Sequence, residues 1–274
     1  MGASWEAYRA AWRVMRTDSE LLLTPLLGMV LVALLLPIVV GAWVGGFAFI
    51  EHYDLPILIL VVLTVPYAWL WTTTFVLMDA LVVVTANERM HGGSPTLGRS
   101  MAKVGRKIGR LMAWSLLFAF VISILAVLGR RGGAGRLAAM TGGVAVSVAS
   151  MFVVPHIVLE NGTVKGAVRR SGQVVFERFG PVTSRTVKFS LYGILGTLAL
   201  IWFGPTLFNL LTAAIPNPPR SFLVIMLILP YAFAFMFVCL HGVAWSIYKT
   251  AVFDSTRGKI SPWFPEDTLT SPFK

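Results

Sequence analysis

The chain is poor in the groups that soluble enzymes depend on. It has one cysteine, Cys239, in 274 residues, so no intramolecular disulfide can form and no cysteine-rich metal knuckle exists. Only 13% of its residues are charged, against roughly 25% in an ordinary soluble domain. Acidic residues are the scarcer kind, 12 Asp and Glu against 23 Lys and Arg. The signatures GxxxxGK[ST], HExxH, CxxC and GxSxG are all missing, which removes the usual phosphate-loop, zinc-protease, dithiol and nucleophile-elbow chemistries. No cofactor motif is present, and none is expected to be bound.

What fills the chain instead is hydrocarbon. Some 57% of the residues are hydrophobic, and several apolar runs exceed the ~18 residues that cross a bilayer. The pattern predicts an all-α polytopic membrane protein with spans at 21–48, 57–86, 110–128, 137–159, 186–213 and 221–248. The N-terminal arginines are followed by Asp18 and Glu20, and the apolar run after them is too long for a signal h-region. No cleavable leader is therefore expected.

The excess of basic charge orients these spans. Arg9, Arg13 and Arg16 precede the first, a run from Arg89 to Arg110 joins the second to the third, and a run from Lys165 to Lys188 joins the fourth to the fifth. Lys249, Arg257, Lys259 and Lys274 follow the sixth, while Arg130, Arg131, Arg136 and Arg220 fall on the other side. By the positive-inside rule the termini and long loops face the cytoplasm of a prokaryotic inner membrane. In such a protein a net charge of +11 points to anionic headgroups rather than to nucleic acid.

The basic segments also have helical periodicity. In SWEAYRAAWRVM, Trp5, Tyr8, Trp12 and Met15 share a face beside Arg9 and Arg13. In SPTLGRSMAKVGRKIGR, Ser94 is the expected N-cap, with Leu97, Met101, Val104 and Ile108 as an apolar stripe and Arg99, Lys103 and Arg106 as a basic one. In NGTVKGAVRRSGQVV, Val164, Val168 and Val175 lie beside Lys165 and Arg169. Such helices are expected to lie in the headgroup plane. The spacing suggests three hairpins, each preceded by a basic interfacial helix, in units of about 4–86, 94–159 and 163–250. A flexible tail over 254–274 follows. Arg9, Arg13, Arg99, Lys103, Arg106, Lys165 and Arg169 are the candidate contacts to anionic lipid or to a protein partner.

Ionisable residues within spans are the other candidates, because each is costly there. Asp79 interrupts FVLMDALVVV, and His156 and His241 lie in the fourth and sixth spans. All three follow a phenylalanine by four residues: Phe75, Phe152 and Phe237. A pseudo-threefold arrangement would bring them together as a structural network, a proton or ion relay, or a two-histidine, one-carboxylate metal site.

The segments SWEAYRAAWRVMRTDSELLLTPLL, NERMHGGSPTLGRSMAKVGRKIGRLMAWSLL, MFVVPHIVLENGTVKGAVRRSGQVVFERFG and SIYKTAVF resemble a family of six-span prokaryotic membrane proteins catalogued as a domain of unknown function. More distantly they resemble the membrane domain of glycerophosphodiester phosphodiesterases. The resemblance implies the helix-plus-hairpin architecture and supplies no catalytic residue. The expected role is a non-enzymatic scaffold or accessory protein in envelope or lipid homeostasis. A transporter of a small solute, ion or lipid, and a metal-dependent intramembrane enzyme, are the alternatives.

Overall fold

The structure, a computed structural model, describes residues 2–24, 57–129, 132–178 and 219–265 continuously, together with Leu269 and scattered residues between 26 and 45 and between 193 and 210. Among the described residues there are helices and turns and no strand. The helices are α1 (Gly2–Thr17), α2 (Ile57–Met90), α3 (Leu97–Gly105), α4 (Ile108–Gly129), α5 (Gly133–Ala149), α6 (Val153–Leu159), α7 (Val164–Arg178) and α8 (Arg220–Thr256). Among the described residues four stretches are long and apolar enough to cross a membrane: Val65–Met90, Ile108–Gly129, Gly133–Leu159 and Ala232–Thr256. They fall on four of the expected spans. The spans expected at 21–48 and 186–213 lie largely outside the described residues.

Burial divides the molecule into two zones. In the first, large apolar side chains stand exposed: Leu116, Leu117, Phe120 and Ile124 on α4, and Leu137, Met140 and Val144 on α5. In the second, which we call the base, the same kinds of side chain are packed away. There Val82, Ala86 and Met90 of α2 meet Val14 and Met15 of α1 and Ile247 and Phe253 of α8. A neighbouring cluster joins Val83 and Leu111 to Val153, Ile157 and Ala167. With 34 and 37 residues, α2 and α8 are about 51 and 56 Å long at 1.5 Å per residue, far beyond a ~30 Å hydrocarbon core. Their C-terminal parts belong to the base. Pro66 lies inside α2 without ending it.

The basic helices are present, and α1 and α7 each bury an apolar stripe against protein. On α1 the buried stripe is Ala7, Ala10, Ala11, Val14 and Met15, while Trp5 is exposed. Val164 and Val168 of α7 pack against one cluster and Val175 against the other. On α3 Ser100 and Val104 turn inward and Met101 turns out, as does Ile108 at the start of α4. The N-cap of α3 is Thr96, not Ser94: its hydroxyl accepts the Arg99 amide at 3.4 Å. The free Leu97 amide is taken by Glu20 at 3.0 Å, so two of the open N–H groups at this terminus are answered without Ser94. Of the tail over 254–274, Phe264 and Leu269 belong to the buried cluster.

Turn chemistry ends α2. Gly92 has φ 80°, a conformation open to glycine at no steric cost. Its amide donates to Arg89 and that of Gly93 to Glu88, at 3.1 and 2.9 Å, the paired closure of a Schellman motif. The span expected at 137–159 is broken. Helix α5 stops at Ala149, residues 150–152 form a turn, and α6 resumes at Val153. Pro155 accounts for the restart, since its missing N–H falls in the first turn of α6, where no intrahelical partner is needed. The break is spliced from outside. Ser171 of α7 is fully buried; its hydroxyl donates to the Ala149 carbonyl at 2.6 Å and accepts the Phe152 amide at 3.1 Å.

Between the spanning helices the contacts are also polar. The indole of Trp69 on α2 donates to Ser115 of α4 at 3.1 Å, and Thr73 meets the same hydroxyl at 2.7 Å. Helices α4 and α5 run antiparallel, Gly129 beside Ala139 and Gly142 beside Leu125.

Ser171→Ala leaves a buried amide and a buried carbonyl without their shared partner. We expect a loss of about 1–3 kcal/mol, measured by thermal or denaturant unfolding in detergent. Thr141→Ala, which removes only an exposed hydroxyl bonded to its own helix, should stay within about 0.5 kcal/mol.

Candidate functional site

Asp79 stands where α2 passes from the exposed zone into the base: Phe75 before it is exposed, and Ala80 after it is fully buried. Its partner comes from α8, where Ser246 and Lys249, three residues apart, present one face. Lys249 donates to both carboxylate oxygens of Asp79, at 2.7 and 2.6 Å, and the Ser246 hydroxyl donates to one of them. The Lys249 side chain is 7% exposed and that of Asp79 20%. Two charges in such surroundings are tolerated because each completes the other.

This ion pair is the shared wall of two cavities. One, of about 680 Å³, lies between α2, α8 and the residues around Gly28 and Gly193. The other, of about 840 Å³, lies between α2, α4, α5, α6 and α8. Phe75, Asp79, Trp245 and Lys249 line both.

The three ionisable residues singled out in the spans are divided. His241 lines the smaller cavity with Asp79. Its ring stacks on Phe237 with centroids 6.3 Å apart, and Gly193 lies so close that a Cβ there would overlap the imidazole. His156 lines neither cavity. Its Nδ1 meets Glu160 at 2.6 Å, and its ring stands edge-on to Phe253 at 4.8 Å. The common spacing after phenylalanine therefore does not describe a common site. Among the described residues no three His, Cys, Asp or Glu side chains form a metal-ligating group.

Lys249 was the residue hidden from the sequence reading, which assigned it to the basic loop after the last span. One signal could have found it. In WSIYKTAVF the lysine has apolar residues on both sides at helical spacing, so the helix continues past it and its side chain is internal.

A second polar layer ties the helix ends together in the base. Asn87 of α2 donates to Asp254 of α8 at 2.8 Å, and Arg89 faces Asp18 at 3.9 Å. Arg110 of α4 donates to the carbonyl of Asn161 at 2.8 Å, and Lys107 donates to the Asn161 side chain. Glu160 gathers His156, Arg170 at 3.2 Å and Arg257 at 3.3 Å. Burial opposes ionisation of Glu160, but the His156 hydrogen bond and the charges of Arg257 and Arg170 outweigh it and hold the carboxyl below its usual range. Of the basic candidates, Lys103 and Arg99 face Glu88 at 2.7 and 3.8 Å. Arg9, Arg13, Arg106, Lys165 and Arg169 are exposed and make no ion pair among the described residues.

Two outcomes follow. Asp79→Ala strands a buried ammonium and should cost about 3–5 kcal/mol, whereas the double change with Lys249→Met should recover most of that loss, measured by unfolding in detergent. Because the folded Glu160 carboxyl binds protons less readily than the unfolded one, its contribution is present above the ordinary carboxylate value. It is lost as pH falls through the lowered one. Glu160→Gln should flatten that acid limb of the stability profile.

Comparison with curated proteins and with solved structures finds no match, and nothing in it bears on the more distant likeness to glycerophosphodiester phosphodiesterases. Residues 56–260, which include α2 through α8 and the Asp79–Lys249 pair, match a family of unknown function, DUF6159, and the chain belongs to that family.

Proposed function

We propose that this is a multi-pass protein of the prokaryotic cytoplasmic membrane, with six spans in three hairpins and both termini cytoplasmic. It serves as a non-enzymatic scaffold or accessory protein whose base holds anionic lipid headgroups. One observation carries the reading: the base has more cations than it can pair. Among the described residues most of its carboxylates are committed internally, Asp18 to Arg89, Glu88 to Lys103 and Arg99, and Glu160 to His156, Arg170 and Arg257, while the exposed Glu6 makes no ion pair. Arg9, Arg13, Arg106, Lys165 and Arg169 are left facing outward. Beside them stand exposed apolar side chains, Trp5 at 48%, Met101 at 56% and Ile108 at 46%. Cations alternating with apolar groups suit a lipid interface, where the apolar parts sink and the charges meet phosphate.

A second reading, transport of a small solute, ion or lipid, is favoured by the ion pair that separates the two cavities. Flux in reconstituted vesicles that disappears in Asp79→Asn would favour it over the scaffold.

Each cation near an anionic surface contributes about 1 kcal/mol. Replacing Arg9 and Arg13 with Gln should lower the ratio of phosphatidylglycerol to phosphatidylethanolamine retained by the purified protein by roughly thirtyfold. The Arg99→Gln change, at a residue already facing Glu88, should do less. An unchanged lipid ratio, measured by native mass spectrometry, removes the reading. A cysteine placed at Lys165 in a Cys239→Ala background should react with an impermeant maleimide only after the cells are opened.

A further inference from the structure

The base explains the cations at the surface but not the ion pair inside. The smaller cavity is walled mainly by apolar groups such as Met78, Phe235 and Val238; Asp79, Ser246 and Lys249 form its polar end, and His241 and three threonines also line it. A pocket of several hundred Å³ that is predominantly apolar with a few polar groups has the form of a small-molecule site. It lies beside helices able to cross a membrane, so hydrocarbon chains are its natural neighbours.

The chemistry of the polar end selects among lipids. Lys249 and Asp79 cancel, so the end carries no net charge. A charged head placed there would bury an uncompensated charge. The end still has hydrogen-bonding capacity. An ammonium has three N–H groups and a carboxylate about four acceptor sites. Among the described residues Lys249 is bonded only to Asp79, and Asp79 accepts from only Lys249 and Ser246. One spare donor beside spare acceptor sites is the complement of a hydroxyl, which gives one hydrogen bond and takes another.

We propose that this cavity binds a neutral lipid with a hydroxyl-bearing head, of the acylglycerol type, with the hydroxyl on the Asp79–Lys249 pair and an acyl chain along the apolar wall. The proposal is independent of the anionic-lipid reading of the base; it needs only that the chain resides in a bilayer. Phosphatidylglycerol has hydroxyls too, but its phosphate excludes it by the charge argument.

The structure supplies clean blocking variants. A Cβ at Gly242, in the smaller cavity, and one at Gly143, in the larger, would each meet nothing within 4 Å. A side chain at either position therefore enters its cavity without a clash at the Cβ. The full-length protein in nanodiscs is irradiated with a diacylglycerol carrying a diazirine in one acyl chain, and in parallel with phosphatidylglycerol and phosphatidylcholine probes of the same chain. The diacylglycerol probe is expected to label Met78, Phe235 or Val238 at least about tenfold above the other two. Gly242→Phe should abolish that labelling and Gly143→Phe should leave it within about twofold. The Asp79→Asn, Lys249→Met double variant, monodisperse by size exclusion, should keep labelling but lose the preference among heads. Labelling equal across the three heads, insensitive to Gly242→Phe, or sensitive only to Gly143→Phe overturns the proposal. Selective labelling by phosphatidylglycerol overturns it too, and leaves the surface reading of the base untouched.

Discussion

A charge beside hydrocarbon is costly unless another group pairs with it. The Asp79–Lys249 pair meets that demand, and much of the architecture follows from it. Helices α2 and α8 belong to distant parts of the chain, 170 residues apart at this contact. Their rotation is fixed where they meet, since turning either helix would leave one charge alone. The same demand recurs elsewhere: Glu20 answers the first amide of α3, Asn87 answers Asp254, and Ser171 answers both sides of the break between α5 and α6. In each case the polar group comes from a different helix, so the polar contacts, few as they are, decide how the helices are assembled.

The molecule is built for two solvents. Where α4 and α5 show leucine, methionine and phenylalanine outward, those side chains have no protein cover among the described residues. In the base the chain packs like a soluble protein, with Phe152, Phe253, Met15 and Ile157 fully enclosed. Asp79 and Lys249 sit at the seam. The two longest helices run through both zones, which is why their length exceeds what a bilayer alone requires.

Much of this was legible in the residues, and the failures have physical causes. The apolar runs located four spans, because transfer to hydrocarbon is a sum over residues and needs no knowledge of neighbours. Periodicity showed that α1 and α7 bury one face. It could not say whether lipid or protein covers that face, since both reward the same side chains. Phenylalanine spacing grouped Asp79 with His156 and His241, but spacing along a helix says nothing of rotation about it, and His156 faces Glu160 and Phe253 instead. Lys249 was hidden because the positive-inside rule counts lysines near a span end without asking whether the helix continues. Ser171 left no trace, because its partners are backbone atoms whose need arises from a break elsewhere.

That break has a temporal side. The chain is made from its N-terminus, so Ala149 and Phe152 leave the ribosome before Ser171, which follows Phe152 by 19 residues. Until α7 is synthesised and swings back against α6, one amide and one carbonyl of the α5–α6 junction have no protein partner. The segment therefore cannot settle as a finished span on its own schedule. Its last hydrogen bonds wait for a helix that is not yet born, and the order of synthesis becomes part of the fold.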